Sequence, residues 1–282
     1  MNFAQTYLAQ LERFAVRAPL PRVRALHLPP ASVDPLPGDR GEFCALELDD
    51  GSLGLSYVLL DDTLARLRDG SEGGDGFALA GADALELARA YASGSGIART
   101  LGFAAANALT RCFFDRAGYR PDTSTDSIGQ LDPQPGERIG MIGLFTPLLD
   151  RILCSGATLT VVELKPELAG EREGYRVTLD PAELAGCSKV LSTSTLLLND
   201  TLDRMLGFCR DARWFAMIGP SAGCLPDALF ARGVTLVGGT WLHAPAAFAD
   251  ALRRGEPRGE FARKCAIMKD AYPGFEALLG RA

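Results

Sequence analysis

Residues 138–165, RIGMIGLFTPLLDRILCSGATLTVVELK, constrain the fold of this chain more than any other stretch. They read as strand, glycine turn, helix, glycine stop and second strand. Arg138–Ile142 is a short apolar strand, with Gly140 and Gly143 around the turn that follows. Thr146 before Pro147 predicts an N-cap and then a proline at the first helical position. Leu148, Leu149, Ile152 and Leu153 recur at helical spacing, and Gly156 suits the C-terminal stop. Residues 158–164 form a β-branched strand with Glu163 at its end. Such a βαβ unit aims the amides of its first turn at whatever lies above the sheet. It fixes where a ligand would sit without saying which ligand.

The rest of the second half continues the alternation. Strands are expected at 189–192, 214–218 and 234–237, helices at 199–209, 226–231 and 245–253. A closing helix is expected over roughly the last 25 residues, with Phe261, Cys265 and Met268 on one side. Together these predict an α/β fold in which residues 121–282 form a Rossmann-like, doubly wound parallel sheet. Residues 1–120 have a different grammar. An opening helix carries Phe3, Tyr7, Leu8, Leu11 and Phe14 on one face, and a Pro-rich loop spans 19–37. Residues 42–60 read as a hairpin turning at Asp50-Gly51. A polar loop at 69–76 and helices at 82–91 and 97–115 complete a smaller α+β domain. The Pro-, Asp- and Ser-bearing segment 118–137 is the expected boundary.

Composition narrows the class of function. With 282 residues, 47% hydrophobic and 23% charged, the chain has ample core material for a globular protein. A net charge of −6 and the lack of a Lys/Arg stripe argue against a nucleic-acid partner. No apolar run approaches the roughly 18–20 residues of a membrane span. The amphipathic N-terminus carries Glu12 and does not resemble a signal peptide, so a cytoplasmic location is expected. The seven cysteines are scattered and never form C-x-x-C, the pattern of reduced, mostly buried thiols. With only His27 and His243 beside them, far apart in sequence, a four-ligand Cys/His metal site is not expected unless the fold assembles it.

In a parallel sheet of this kind, ligands bind outside the carboxyl ends of the strands. Those ends, 143–146, 163–165, 192–195, 219–223 and 238–240, are all small, hydroxylic, glycine-bearing or charged. The candidate ligand-binding residues are therefore Gly143, Thr146, Glu163, Thr193, Thr195, Asn199, Gly219, Ser221 and Gly239. Asn107, a polar amide amid alanines on a helix of the first half, joins them. Each has a plainer alternative. G-x-x-G at 140–143 is a tight turn as readily as a phosphate loop, and Glu163 is either a ribose acceptor or a solvated strand end. Asn199 or Asp200 is expected to cap the next helix. Asn107 either closes a buried hydrogen bond or faces a cleft. Glu163, Cys224 and His243 are the candidate metal ligands. No elbow, Walker loop or zincin motif names a nucleophile or general acid.

Three segments together resemble one known family: GMIGLFTPLL with VVELKPELAG, STSTLLLNDTLDRML, and GPSAGCLPDALFARGVTLVGG. They are similar to the "putative heavy-metal chelation" family, and GFAAANAL resembles a helix of its N-terminal domain. The likeness spans most of residues 40–255. It implies an enolase N-terminal-like domain coupled to a Rossmann-like domain, a site in the cleft between them, and a link to metals or metal chelates. The rim itself offers mainly hard oxygen and amide donors. Three functions stay open. The chain binds a small polar ligand such as a heavy metal, metal chelate or chelator precursor. It is an enzyme using a nucleotide or S-adenosyl cofactor, with Glu163 on ribose hydroxyls. Or it is a non-catalytic scaffold, with homo-oligomer formation undecided.

Overall fold

The computed structural model describes residues 1–30, 43–58, 62–69, 79–124 and 129–282. Helix α1 (Phe3–Arg17) begins with a capping box: the Asn2 side chain accepts from the Gln5 amide, and the Gln5 side chain from the Asn2 amide. Its face of Phe3, Tyr7, Leu11 and Phe14 is buried. Strands β1 (Val23–His27), β2 (Phe43–Leu48) and β3 (Leu53–Tyr57) form an antiparallel sheet in the order β1-β2-β3. The hairpin turns at Asp50-Gly51, where Gly51 has φ +85°. Strand β1 lies within the segment expected as a Pro-rich loop, because pairing with β2 supplies order that local composition does not show. Residues 31–37 of that loop and 70–76 of the polar loop lie outside the described residues.

Helices α2 (Thr63–Asp69), α3 (Ala84–Ser93) and α4 (Gly96–Arg116) follow. The Asp83 side chain caps α3 by accepting from the Leu85 and Glu86 amides. Helix α4 is buried almost all round, which explains its alanine-rich sequence: small side chains let other backbone come close. Gly54 of β3 is so near that an added Cβ would fall 2.2 Å from the Ala104 oxygen and the Ala108 nitrogen.

The second half contains β4 (Arg138–Ile142), α5 (Leu149–Leu153), β5 (Thr158–Val162), β6 (Gly170–Arg172), β7 (Tyr175–Thr178) and β8 (Lys189–Thr193). It continues with α6 (Leu202–Phe208), β9 (Trp214–Ile218), α7 (Asp227–Phe230), β10 (Leu236–Leu242), α8 (Pro245–Arg254), β11 (Ala262–Met268) and α9 (Phe275–Leu279). The eight strands run in the order β11-β10-β9-β8-β4-β5-β7-β6. From β10 to β7 the neighbours are parallel; β11 and β6 pair antiparallel at the two edges. The middles of the parallel strands are mostly apolar because both faces are covered there, while Arg138, Thr158, Arg176 and Lys189 sit at or near the strand starts. Ile139, Met141, Leu159 and Val161 pack on one side, Ile142, Val162, Phe215 and Met217 on the other.

Several local expectations need correction. The closing helix is instead strand β11, paired along its length with β10. Phe261, Cys265 and Met268 fit a helical spacing, but the open edge of β10 decides the conformation. Thr146 is not an N-cap: it opens a 3-10 turn, Thr146–Leu148, which is capped by Phe145 and followed by the five-residue α5. Neither Asn199 nor Asp200 caps α6, whose N-cap is Thr201. The β6–β7 hairpin has no counterpart among the expected elements.

Two packing relations place the site. The aromatic core of α1 and α4 runs on into α9, with Phe113 5.1 Å from Phe14 and 5.3 Å from Phe275 between ring centroids. One face of the small sheet, through Ala45, Leu53 and Leu55, packs on Phe248, Ala249 and Leu252 of α8. The small sheet is thus held between α4 and α8, which carries the end of β3 over the rim of the large sheet. On that rim the chain runs from β4 out to β5 and β7, then returns to the other side of β4 at β8. The carboxyl ends of β4 and β8 flank this topological switch point.

Candidate functional site

Gly143 and Thr193 stand side by side at the switch point. A Cβ on Gly143 would lie 3.2 Å from Thr193 Cγ2, and the glycine has φ +84°, so the turn needs both the room and the left-handed conformation. A cleft of about 600 Å³ opens beside them. Gly143 and Thr146 after β4, Glu163 after β5, and Thr193, Thr195 and Asn199 after β8 all line it. From the small sheet comes Tyr57, the last residue of β3. The walls between these polar groups are apolar, notably Ile142, Phe145, Val162 and Leu196.

The half-buried Glu163 carboxylate organises the rim. Its Oε1 accepts a 2.6 Å hydrogen bond from the Leu144 amide, and its Oε2 accepts one of 3.2 Å from the Leu164 amide. The neighbouring turn amides are also engaged: Gly143 donates to the Val162 carbonyl at 2.9 Å and Phe145 to the Met141 sulfur at 3.3 Å. Burial raises the Tyr57 phenol above its ordinary range, and the nearby Glu163 charge adds to the shift, so Tyr57 stays a protonated donor. Across the cleft the Thr193 and Thr195 hydroxyls lie 2.9 Å apart. Asn199 Oδ1 accepts from the Thr201 amide and, at 2.5 Å, from its hydroxyl.

The remaining candidates lie apart. Asn107 is buried: its Nδ2 donates to the carbonyls of Leu55 (2.8 Å) and Ser221 (3.1 Å), and its Oδ1 accepts from the Tyr7 hydroxyl (3.1 Å). The structure places it in the packing between β3, α1 and the loop after β9, outside the large cleft. The loop after β9 lies with it, beside a smaller pocket lined by Asn107, Pro220, Ala222, Gly223 and Thr240. Gly219 faces Ser194, whose Oγ would sit 2.2 Å from an added Cβ; its amide donates to the Gly238 carbonyl. Ser221 is buried, and a Cβ on Gly239 would lie 2.9 Å from the Ala222 oxygen. Gly219 and Gly239 therefore serve close packing within the large-sheet half, the Ser221 carbonyl accepts from Asn107, and none of the three lines the cleft. Cys224 is fully buried, and burial pushes its thiol up to about 12. His243 is exposed beyond β10. Tyr57 was outside the expected site, since a strand-end aromatic carries no local sign of a partner so distant in sequence.

Residues 126–269 match the family described as "Putative heavy-metal chelation", and residues 41–110 match a second family of the same description. The chain belongs to this family. Two solved structures share its fold. A protein of unknown function from Desulfitobacterium hafniense DCB-2 aligns with a TM-score of 0.66 at 19% identity, covering 95% of this chain and 98% of that one. A protein of unknown function from Pyrococcus horikoshii aligns with a TM-score of 0.66 at 22% identity, covering 95% and 100%. An uncharacterized protein of Methanocaldococcus jannaschii is 28% identical over 148 residues, 51% of this chain and 54% of that relative, so the match spans about half its length. No helix among the described residues is long and apolar enough to cross a membrane.

A family description that names heavy metals can be tested on the donors present. Thiophilic ions need several Cys or His ligands, and the thiolate must be deprotonated. Glu163, Cys224 and His243 do not converge, and Cys224 is held protonated. Among the described residues no group of three His, Cys, Asp or Glu side chains could hold an ion. The described residues do not fit a bare heavy-metal ion.

Proposed function

We propose that this protein binds a small polar organic molecule in the cleft between its two domains, residues 1–120 and 121–282. A heavy metal reaches that cleft only within such a molecule, as a chelate, or the ligand is the metal-free chelator precursor. The observation that carries this is the meeting of Glu163, Tyr57 and the Thr193–Thr195 hydroxyls in one cavity, with no metal-ligand cluster among the described residues. A cavity of about 600 Å³ falls in the range of small-molecule sites, roughly 300–1,000 Å³. A chelate already fills its ion's coordination sphere, so the protein needs only hydrogen bonds to its periphery and apolar walls. Thr146, Thr193, Thr195 and Asn199 orient the ligand, and Ile142, Val162 and Leu196 shield it.

Isothermal titration with Ni²⁺ alone, Ni²⁺–histidine and Ni²⁺–citrate tests this. Saturable binding of at least one complex, weak or no binding of the free ion, and loss of complex binding in Glu163→Ala are expected. Tight one-to-one binding of free Ni²⁺ with none of the complexes would overturn it.

A further inference from the structure

We infer that Glu163 is a built-in anion for the glycine turn, so that this cleft accepts a ligand with a cationic or N–H donor edge and rejects one that presents a phosphate. The inference rests on the cleft being a ligand site, and it names the ligand's chemical class. Phosphate loops work because several backbone amides point at an empty place and a helix dipole stands behind them. Here the place is taken. The Leu144 amide is held by Glu163 Oε1 at 2.6 Å, the Gly143 amide by the Val162 carbonyl, and the Phe145 amide by Met141. The helix behind the turn, α5, has five residues and follows a separate 3-10 turn, so it contributes little dipole.

Charge points the same way. Among the described residues, Glu163 and Glu167 face the cleft against one base, Lys165, and both Glu167 and Lys165 are exposed. A phosphate at the turn would have to displace Glu163 from its shortest hydrogen bond or stand against its charge. A donor edge meets the opposite situation. Among the described residues Glu163 Oε2 has one long hydrogen bond, 3.2 Å from the Leu164 amide, and an ionised carboxylate oxygen accepts more than one. An amidine or protonated amine would complete it with charge-assisted bonds. The Tyr57 hydroxyl would serve an acceptor on the same ligand.

Three matched probes separate these outcomes: benzamidine, benzoate and phenyl phosphate, which share one ring and differ in the head group. Their affinities are read by saturation-transfer NMR on the full chain, with Glu163→Gln as the comparison, since its amide oxygen can still accept from Leu144. Benzamidine should bind the native protein about tenfold more tightly than phenyl phosphate, and Glu163→Gln should remove most of that preference. Tyr57→Phe, which deletes only a hydroxyl, should keep the ranking. Equal or better binding of phenyl phosphate to the native protein would overturn the inference. So would a benzamidine affinity unchanged by Glu163→Gln, or silence of all three probes. A protein that ranks the probes as expected yet binds no Ni²⁺ complex keeps this inference and loses the chelate assignment.

Discussion

The Tyr91 hydroxyl donates a 2.7 Å hydrogen bond to the Leu197 carbonyl, tying α3 to the turn that walls the cleft. Both residues are buried. Arg99 of α4 adds to the tie: its guanidinium lies 5.0 Å from the Tyr91 ring centroid and bonds Asp200 at 2.5 Å. Asp200 has φ +57°, a left-handed conformation that among non-glycine residues Asn and Asp adopt most readily. Tyr91→Phe removes the donor and leaves Leu197 with the long 3.4 Å contact to Arg99. It should cost about 1–2 kcal/mol of unfolding free energy, read from urea denaturation. An unchanged midpoint would mean that this tie contributes nothing.

Asn107 closes three hydrogen bonds in a buried position, so Asn107→Leu should strand two carbonyls and a tyrosine hydroxyl. A loss of about 3 kcal/mol or more is expected in equilibrium denaturation. Ligand affinity of the folded fraction should hardly change, because the side chain lies outside the large cleft. A large affinity loss with intact stability would instead make Asn107 a ligand contact.

Gly54 and Gly51 predict opposite kinds of damage. At Gly54 an alanine methyl would collide with the backbone of α4 at 2.2 Å, and neither partner can yield. Gly54→Ala should abolish folding or cost about 3 kcal/mol or more. At Gly51 there is open space around the added methyl, and only the φ of +85° opposes it. Gly51→Ala should cost about 1 kcal/mol. Thermal melts of the two variants check the order.

The buried thiols predict weakness at high pH. Burial pushes Cys44, Cys112, Cys209 and Cys224 up to about 12 and Cys265 to about 11, from an ordinary value near 9. Between about pH 9 and 11 the folded chain keeps protons that the unfolded chain releases, so stability falls as pH rises. Each thiol contributes about 1.4 kcal/mol per pH unit in that window. Urea midpoints should be insensitive to these groups at pH 7 and fall steeply above pH 9. A constant midpoint up to pH 10.5 would contradict the burial of these thiols.

The local part of the candidate site was legible from the residues alone. Gly143, Thr146, Glu163, Thr193, Thr195 and Asn199 belong to strand ends whose strands and turns have clear periodicity, and the cleft gathers all six. Sequence alone could not show which strand ends are covered. Gly219, Ser221 and Gly239 have the same local chemistry, but Asn107 reaches the loop after β9 and the small sheet docks beside it. That docking depends on contacts more than a hundred residues apart in sequence. The same holds for Tyr57, whose place over Glu163 comes from the sandwiching of β3 between α4 and α8. Strand β11 was hidden for a related reason. Its pattern fits a helix, and only the free edge of β10 makes it a strand.

The most direct test follows the backbone amide of Leu144 in the nitrogen-labelled protein, since it reports on Glu163 from inside the cleft. Titration with Ni²⁺–histidine, whose amines and imidazoles offer N–H donors to Glu163, should shift or broaden Leu144, Gly143 and Thr193 together, at concentrations where free Ni²⁺ leaves them unmoved. If free Ni²⁺ moves them as strongly as the complex does, or if the changes gather at Cys224 and His243 instead, the cleft is not the site of a small organic ligand.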